Sequence, residues 1–304
     1  MADVEAMMKD CTLCPRNCHA DRSTGLPGFC RSGGRVRAAR AALHYWEEPC
    51  ICGEEGSGAV FFSGCSLGCV YCQNRPVADG TVGKEITVER LAEIFLELQA
   101  QNARNINLVT ASHFIPQTAE ALVRARQNGL SVPVVYNTGG YEKAETLKLL
   151  EGLVDIYLPD FKYLDPELAA KYSFAPDYPE TAKAALAEMV RQVGEPVFED
   201  EGEERMIRGV IVRHLVLPGL TEASKKVIRY LHETYGNRIY ISILNQYTPM
   251  PGMEKYPELN RKLTAEEYDA VVDDAVAVGV ENGFIQEGDT ASESFIPVFD
   301  ITGI

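Results

Sequence analysis

A repeated alternation of strand and helix patterns constrains the fold of this 304-residue chain more than any other feature. Short runs rich in β-branched and aromatic residues predict strands, and the runs between them carry apolar residues at helical spacing. The predicted strands cover residues 59–62, 106–109, 132–136, 154–158, 209–217, 238–244 and 283–286. The predicted helices begin at residue 88 and then cover 116–127, 143–150, 180–193, 221–234 and 265–278.

About six βα units in succession predict an α/β fold with a parallel sheet and right-handed crossovers. Doubly wound and barrel topologies both fit this order of elements. No Gly-x-Gly-x-x-Gly or Gly-x4-Gly-Lys-Ser/Thr motif follows a predicted strand, so the usual nucleotide-binding loops are missing. We therefore predict a partial (β/α)6 TIM-like barrel over residues 58–304, preceded by a cysteine-rich N-terminal segment over residues 1–57.

The overall composition is that of an ordinary globular protein, since 46% of the residues are apolar and 24% are charged. No run approaches the ~20 apolar residues that span a bilayer. The first residues lack the basic and apolar regions of a signal peptide, and we therefore expect a cytoplasmic protein. The net charge of −15 disfavours nucleic acid and anionic membranes as partners, because like charges repel.

The cysteines are unevenly distributed along the chain. All nine lie within the first 72 residues, at positions 11, 14, 18, 30, 50, 52, 65, 69 and 72. A disulfide framework is not expected in a reducing compartment, nor crowded into one quarter of a large protein. Clustered thiolates at short spacing are soft ligands for iron or zinc. The sequence therefore predicts metal binding.

Cys65, Cys69 and Cys72 form a Cys-x3-Cys-x2-Cys motif directly after the first predicted strand of the barrel. The C-terminal ends of barrel strands are where catalytic groups are found. A [4Fe–4S] cluster needs one ligand for each iron, so three cysteines leave one iron open to a small molecule. A zinc site completed by a distant residue and buried structural thiols are the alternatives, and three cysteines in eight residues fit one tetrahedral ion poorly.

This motif, with the aromatic Tyr71 before its last cysteine, resembles the radical S-adenosylmethionine (AdoMet, SAM) superfamily. The resemblance implies a [4Fe–4S] cluster whose open iron binds AdoMet. It also implies an oxidoreductase in which one electron cleaves AdoMet to methionine and a 5′-deoxyadenosyl radical that abstracts a substrate hydrogen. Cofactor chemistry of this kind leaves orientation and exclusion of water to the protein. Tyr71 matches the position that packs against adenine in that family.

Four further segments are similar to pyruvate formate-lyase activating enzyme and its relatives, and they occur in the same order. These segments are Cys69-Val-Tyr-Cys-Gln-Asn74, Val134-Val-Tyr-Asn-Thr-Gly-Gly140, Asp155-Ile-Tyr-Leu-Pro-Asp160-Phe-Lys162 and Val212-Arg213-His-Leu-Val-Leu-Pro-Gly219. The resemblance implies that Asn74, Asn137, Thr138, Asp160, Lys162 and Arg213 lie near AdoMet, an associated cation or the substrate. It also implies a glycyl radical enzyme as partner and a flavodoxin- or ferredoxin-type electron donor.

The chain departs from the activating enzymes at two places. Thr110-Ala-Ser112-His113 stands where they carry Gly-Gly-Glu, so the hydroxyls of Thr110 and Ser112 are the predicted contacts to AdoMet there. Asn137 replaces an aspartate and removes one negative charge from the predicted cation site. From the residues alone, these polar positions also fit ordinary turns and solvated strand ends.

Cys11, Cys14, Cys18 and Cys30 supply four thiolates, which are enough to close a second metal site. An auxiliary iron–sulfur cluster and a structural zinc ion are the two interpretations. We favour iron–sulfur because the spacing lacks two clean zinc knuckles. Cys50 and Cys52 lie in a Cys-x-Cys pair that is more typical of buried thiols than of ligands, and we assign them no role.

The leading functional hypothesis is a radical AdoMet enzyme that activates a glycyl radical enzyme. A peptide- or small-molecule-modifying radical AdoMet enzyme with an auxiliary cluster is the first alternative. A non-catalytic iron–sulfur or zinc redox protein is the second. Asn245 and Gln246, which follow the sixth strand of the predicted barrel, are further candidates for contact with AdoMet or substrate. His113 is the one histidine that follows the end of a predicted strand, the second.

Overall fold

The parallel strands lie side by side in one sheet. A computed structural model describes residues 4–199, 205–286 and 297–304. Its strands are β1 (Val36–His44), β2 (Ser57–Phe62), β3 (Lys84–Ile86), β4 (Ile106–Val109), β5 (Val134–Thr138), β6 (Ile156–Pro159), β7 (Val197–Glu199), β8 (Arg205–Leu215), β9 (Tyr240–Leu244) and β10 (Gly283–Ile285). The order in the sheet is β10-β9-β8-β6-β5-β4-β2-β1-β3, with β7 paired to β8.

All pairings from β2 through β10 along this path are parallel, whereas β1 pairs antiparallel with β2 and with β3. Within the described residues the two outermost strands, β10 and β3, are not paired with each other, so the barrel is open. The predicted partial (β/α)6 barrel is confirmed. One difference is that β5 begins at Val134 rather than at residue 132, since Pro133 has no N–H to donate to a ladder.

Ten α-helices lie in the described residues, and most of them connect successive strands. They are α1 (Val4–Lys9), α2 (Pro49–Cys52), α3 (Arg75–Ala78), α4 (Val88–Ala100), α5 (Ile115–Gln127), α6 (Ala144–Leu147), α7 (Pro166–Ser173), α8 (Tyr178–Val193), α9 (Thr221–Tyr235) and α10 (Ala265–Ala277). None of the described helices combines the length and the apolar character needed to cross a membrane.

Local capping signals determine where two of these helices begin. The Thr87 side chain accepts a hydrogen bond from the backbone N–H of Arg90 at the start of α4. Thr264 and Glu267 form a reciprocal capping box at the start of α10. The predicted apolar face of α4 is buried against the sheet, with Leu91, Ala92, Ile94, Phe95 and Leu98 inside.

The segment between β1 and β2 was not predicted to have structure. Helix α2 lies within it, and its residues Cys50 and Ile51 pack against Val135, Ile156 and Ile211 from the inner side of the barrel strands. This short helix therefore fills the barrel interior beside β5, β6 and β8. The predicted boundary between residues 57 and 58 falls inside β2, after its first residue, and β1 on the N-terminal side pairs with β2 in the same sheet. The division into two domains stays a prediction.

Candidate active site

The loop carrying Cys65, Cys69 and Cys72 leaves the C-terminal end of β2, at the mouth of the barrel. The three side chains are partly buried and line one cavity of about 670 Å³. Burial raises the pKa of the Cys72 thiol to about 11 and raises that of Cys65 further. Metal binding at these positions would therefore displace thiol protons and become stronger as the pH rises.

A set of partly buried charges lines the same cavity as the cysteines. Asp160, which follows β6, accepts from Lys162 Nζ at 2.7 Å and from Arg213 Nε at 3.0 Å. Burial alone would raise the pKa of Asp160, but the two adjacent cations hold it below its usual value. The cations are stabilised in turn, and the pKa values of Lys162 and Arg213 are raised despite their burial. All three side chains are therefore ionised at neutral pH.

Glu47 is the member of this charge set that sequence reasoning missed. It lies just before α2 and reaches into the barrel, where Oε2 accepts from Arg213 Nη1 at 3.2 Å. Its Oε1 accepts from Asn107 Nδ2 at 2.9 Å and from Asn137 Nδ2 at 3.2 Å. Burial raises the pKa of Glu47, and the Arg213 cation opposes that rise. No motif surrounds this residue, so only its position in the fold identifies it.

Most of the residues predicted to contact AdoMet share the cavity with the cysteines. Those that line it are Tyr71, Asn74, Thr110, Asn137, Thr138, Asp160, Lys162 and Arg213, together with Gln246. Ser112 is placed differently, since its buried hydroxyl donates to Glu142 Oε1 at 2.5 Å. Thr138 also donates to that Glu142 oxygen while lining the cavity.

Two predicted residues are held by neighbouring buried groups. Tyr71 Oη lies 2.6 Å from Tyr163 Oη, and the Tyr71 ring meets the edge of Tyr247 with 6.4 Å between centroids. His113 Nε2 lies 2.8 Å from the carbonyl oxygen of Ser63, to which it donates. Because burial lowers the pKa of His113 to about 3, this ring is neutral and supports the backbone that leads into the cysteine loop.

The four N-terminal cysteines lie close together at the same end of the barrel. Cys11, Cys14 and Cys30 are buried and Cys18 is exposed. A Cβ atom at Gly28 would lie 2.9 Å from the sulfur of Cys18 and 3.8 Å from that of Cys30. The pKa of Cys14 is raised to about 11, mainly by burial and in smaller part by the other three thiols. The four thiols are therefore near neighbours in the folded chain.

Two arginines attach this N-terminal segment to the barrel. Arg16 Nε donates to the carbonyl oxygen of Ser66, inside the cysteine loop, at 2.8 Å. Arg22 is 1% exposed and donates to the carbonyl oxygens of Ser32, Gly33 and His113. The N-terminal cysteines are thereby held against the loop that carries Cys65, Cys69 and Cys72.

Cys50 and Cys52 are both buried on α2, and neither lines the cavity that Cys65, Cys69 and Cys72 share. Burial raises the pKa of Cys50 to about 12, and Cys52 Sγ lies 3.3 Å from the carbonyl oxygen of Glu47. Over the part of the chain that the structure describes, no three His, Cys, Asp or Glu side chains converge closely enough to hold a single metal ion.

Two known proteins are similar to this chain over most of its length. The chain is 28% identical over 275 residues to an uncharacterised protein of Methanocaldococcus jannaschii, covering 88% of this chain and 74% of that protein. It is 25% identical over 210 residues to the pyruvate formate-lyase-activating enzyme of Clostridium pasteurianum, covering 66% of this chain and 79% of that enzyme.

Solved structures share the fold at low sequence identity. SuiB of Streptococcus suis, solved with its precursor peptide SuiA, aligns with a TM-score of 0.50 at 13% identity and covers 73% of this chain. This chain spans 46% of the SuiB chain, about half of its length. Methylornithine synthase (PylB) aligns with a TM-score of 0.50 at 12% identity, covering 78% of this chain and 75% of that one.

The match to a protein family is more specific than these structural likenesses. The sequence pattern of the radical SAM superfamily matches residues 59–231, more than half of the chain, and this range includes the three cysteines after β2 as well as Asp160 and Arg213. Membership implies a [4Fe–4S] cluster and AdoMet as cofactors. The chain belongs to the radical SAM superfamily.

Proposed function

We propose that this protein is an enzyme that reductively cleaves AdoMet at a [4Fe–4S] cluster held by Cys65, Cys69 and Cys72. The main support for the proposal is that these three thiols line the same cavity as Asp160, Lys162 and Arg213. Three thiolates leave one iron without a protein ligand. The cavity that these cysteines line has a volume of about 670 Å³, which the cluster and a ligand beside it would share.

The residues of the cavity suit a ligand that carries both an ammonium and a carboxylate group. Lys162 and Arg213 offer cationic donors, and Asp160 offers an anionic acceptor. Tyr71, Asn74, Thr110, Asn137 and Thr138 line the same space and are proposed contacts. A cluster held by Cys65, Cys69 and Cys72 would supply the one electron for cleavage of AdoMet to methionine and a 5′-deoxyadenosyl radical, and this radical would take a hydrogen atom from the substrate.

The protein's own part is to hold these charges in place before the ligand arrives. Arg213 is fixed by Asp160, Asn137 and Glu47, so its guanidinium cannot reorient freely. Such pre-positioned charges lose little energy to reorganisation when a ligand binds. Tyr71, which is 6% exposed, forms part of the wall that would shield a reactive radical from water.

As the substrate we propose a backbone glycine of a glycyl radical enzyme. Support comes from the likeness to the pyruvate formate-lyase-activating enzyme of Clostridium pasteurianum. Modification of a peptide or a small molecule is the second candidate, and the fold shared with SuiB, which was solved with a precursor peptide, favours it. A flavodoxin- or ferredoxin-type protein in the cytoplasm is the proposed electron donor.

We propose that Cys11, Cys14, Cys18 and Cys30 hold a second metal group, an auxiliary iron–sulfur cluster in preference to zinc. The clustering of the four thiols supports this site. Arg22 Nη1 lies 3.6 Å from Cys11 Sγ and would donate to a bound thiolate. Such an outer partner orients a ligand and tunes the bound metal.

The test of the proposed function is anaerobic reconstitution with iron and sulfide, followed by dithionite and AdoMet. We expect 5′-deoxyadenosine, measured by chromatography, and its loss in the variant Cys65→Ala/Cys69→Ala/Cys72→Ala. The matched control is Cys50→Ala, which removes a buried thiol outside the cavity. A fully loaded cluster with neither AdoMet binding nor cleavage would instead favour a non-catalytic electron-transfer protein.

A separate experiment distinguishes the two substrates. Incubation with candidate glycyl radical enzymes should produce a glycyl signal in electron paramagnetic resonance (EPR). Formation of 5′-deoxyadenosine that depends on a peptide or a small molecule, with no glycyl signal, would overturn glycyl radical activation in favour of the second candidate.

A further inference from the structure

A chain of buried hydroxyl groups ends on the sulfur of Cys69. Ser173 Oγ lies 3.0 Å from Cys69 Sγ, and Tyr163 Oη lies 3.1 Å from Ser173 Oγ. Tyr71 Oη in turn lies 2.6 Å from Tyr163 Oη. Ser173 is 0% exposed, and Tyr163 and Tyr71 are 3% and 6% exposed. In such surroundings hydrogen bonds are electrostatically stronger than in water and polarise one another.

The backbone around Ser173 is fixed to the cysteine loop by bonds that do not involve the Ser173 hydroxyl. The N–H of Val70 donates to the carbonyl oxygen of Tyr172 at 2.8 Å. Arg16 donates to the carbonyl oxygen of Ser66 at 2.8 Å and to that of Ser173 at 3.2 Å. The end of α7 and the loop that carries Cys69 are therefore held together by bonds that a substitution of the Ser173 hydroxyl leaves in place.

Binding of iron would determine the direction of every hydrogen bond in this chain. A cysteine that ligates iron is a thiolate, which can only accept. Ser173 must then donate its proton to Cys69 Sγ, and its oxygen accepts from Tyr163. The oxygen of Tyr163 accepts in turn from Tyr71. All three hydroxyl groups thus orient their dipoles toward the cluster ligand.

We propose that Ser173 raises the reduction potential of the cluster held by Cys65, Cys69 and Cys72, and that Tyr163 positions the Ser173 hydroxyl. This inference rests on the proposed function, because it requires a cluster at those cysteines. One-electron reduction adds negative charge to the cluster and its sulfurs. A donor to a ligand sulfur stabilises the reduced form more than the oxidised form, and therefore favours reduction.

The experiment is an anaerobic redox titration of the reconstituted protein, followed by the EPR signal that changes when AdoMet is added. We expect Ser173→Ala to lower the equilibrium constant for reduction by about tenfold, which for a one-electron couple is about 59 mV. Tyr163→Phe should shift the potential in the same direction by a smaller amount. Ser173→Thr keeps the hydroxyl and should restore the potential toward the wild-type value.

The matched control is Ser224→Ala, a substitution of a serine on α9 that is 3% exposed and lies outside the cavity. Its potential should equal that of the wild type. An unchanged potential in both Ser173→Ala and Tyr163→Phe, with the AdoMet-responsive signal intact, overturns this inference and leaves the proposed function standing. A wild-type protein without such a signal overturns the proposed function, and the inference with it.

A loss of iron in Ser173→Ala would show that this variant is structurally impaired. The redox titration of Tyr163→Phe then tests the inference, because this substitution leaves Ser173 and the packing of the ring in place. A shift to lower potential in that variant, at wild-type iron content, supports the inference.

Discussion

Arg213 and Glu47 lie 166 positions apart in the sequence, yet their side chains meet inside the barrel, with Nη1 3.2 Å from Oε2. The same guanidinium also contacts Asp160. Removing one partner from a buried ion pair leaves an uncompensated charge, which typically costs about 3–5 kcal/mol. We expect Arg213→Met to lower the free energy of unfolding by about that amount, measured by urea denaturation.

The matched control for Arg213 is Arg229→Met. Arg229 also forms an ion pair, with Asp274, but its side chain is 52% exposed. Exposed pairs contribute about 0–1 kcal/mol, so this variant should remain close to the wild type. Equal effects of the two substitutions would contradict the role assigned to the buried pair.

Glu142 should make stability depend on pH. Burial raises its pKa to about 7, although Ser112 and Thr138 donate to it, and its Oε2 is buried without a partner. Between pH 4.5 and about 7, Glu142 is therefore protonated in the folded chain but ionised in the unfolded chain. Its contribution to stability is greatest below pH 4.5 and is lost as the pH rises through 7. We expect Glu142→Gln to become more stable relative to the wild type between pH 5 and pH 8, by a few kcal/mol.

Urea denaturation of both proteins at the two pH values measures this difference, because contributions from other groups cancel. A stability difference that is independent of pH would show that Glu142 titrates at its ordinary value.

Gly64, directly before Cys65, lies where the N-terminal segment touches the cysteine loop. Its φ is +98°, and an added Cβ would lie 2.4 Å from the carbonyl oxygen of Cys30 and 2.5 Å from Ser32 Oγ. We expect Gly64→Ala to displace the loop and reduce the iron content after reconstitution at least several-fold. Gly129 also has a φ of +98° but no neighbour within 4 Å of the added Cβ.

Gly129→Ala is therefore the control for backbone strain alone, which costs roughly 1–2 kcal/mol. It should lower stability without changing the iron content. A normal iron content in Gly64→Ala would mean that the loop tolerates displacement at this contact.

Arg22 is expected to hold the N-terminal segment in place. Hydrogen bonds to a charged group contribute about 1.5–3 kcal/mol each, and Arg22→Met leaves three carbonyl groups without this donor. The segment should then open more often, and chymotrypsin should cleave after Phe29 at least tenfold faster. Arg35→Met, at a side chain that is 81% exposed, should leave the cleavage rate unchanged.

The N-terminal cysteines should bind metal independently of the cysteines after β2. We expect Cys14→Ser/Cys18→Ser to lose about four iron atoms per chain if the site holds a [4Fe–4S] cluster, or one zinc ion if it holds zinc. Metal analysis of the purified protein measures both. Cys50→Ser should keep the full metal content, and an unchanged content in the double variant would exclude a metal at this site.

The sequence alone determined the order of the parallel barrel strands and of the longer helices between them, because strand and helix periodicities are local patterns that each segment carries by itself. The Cys-x3-Cys-x2-Cys motif is equally local, since one short loop after β2 contains all three residues. Caps such as Thr87 and the Thr264–Glu267 box were also predictable, because their partners are three residues away.

Only the tertiary structure placed Glu47 against Arg213 and Ser173 against Cys69, since their partners are 166 and 104 positions away. Curving the sheet into a partial barrel brings the inward side chains of distant strands together and leaves an interior that α2 fills. Strand alternation specifies which residues face inward, but not which of them meet. That depends on sheet register and on the path of the connecting segments, which no local pattern encodes.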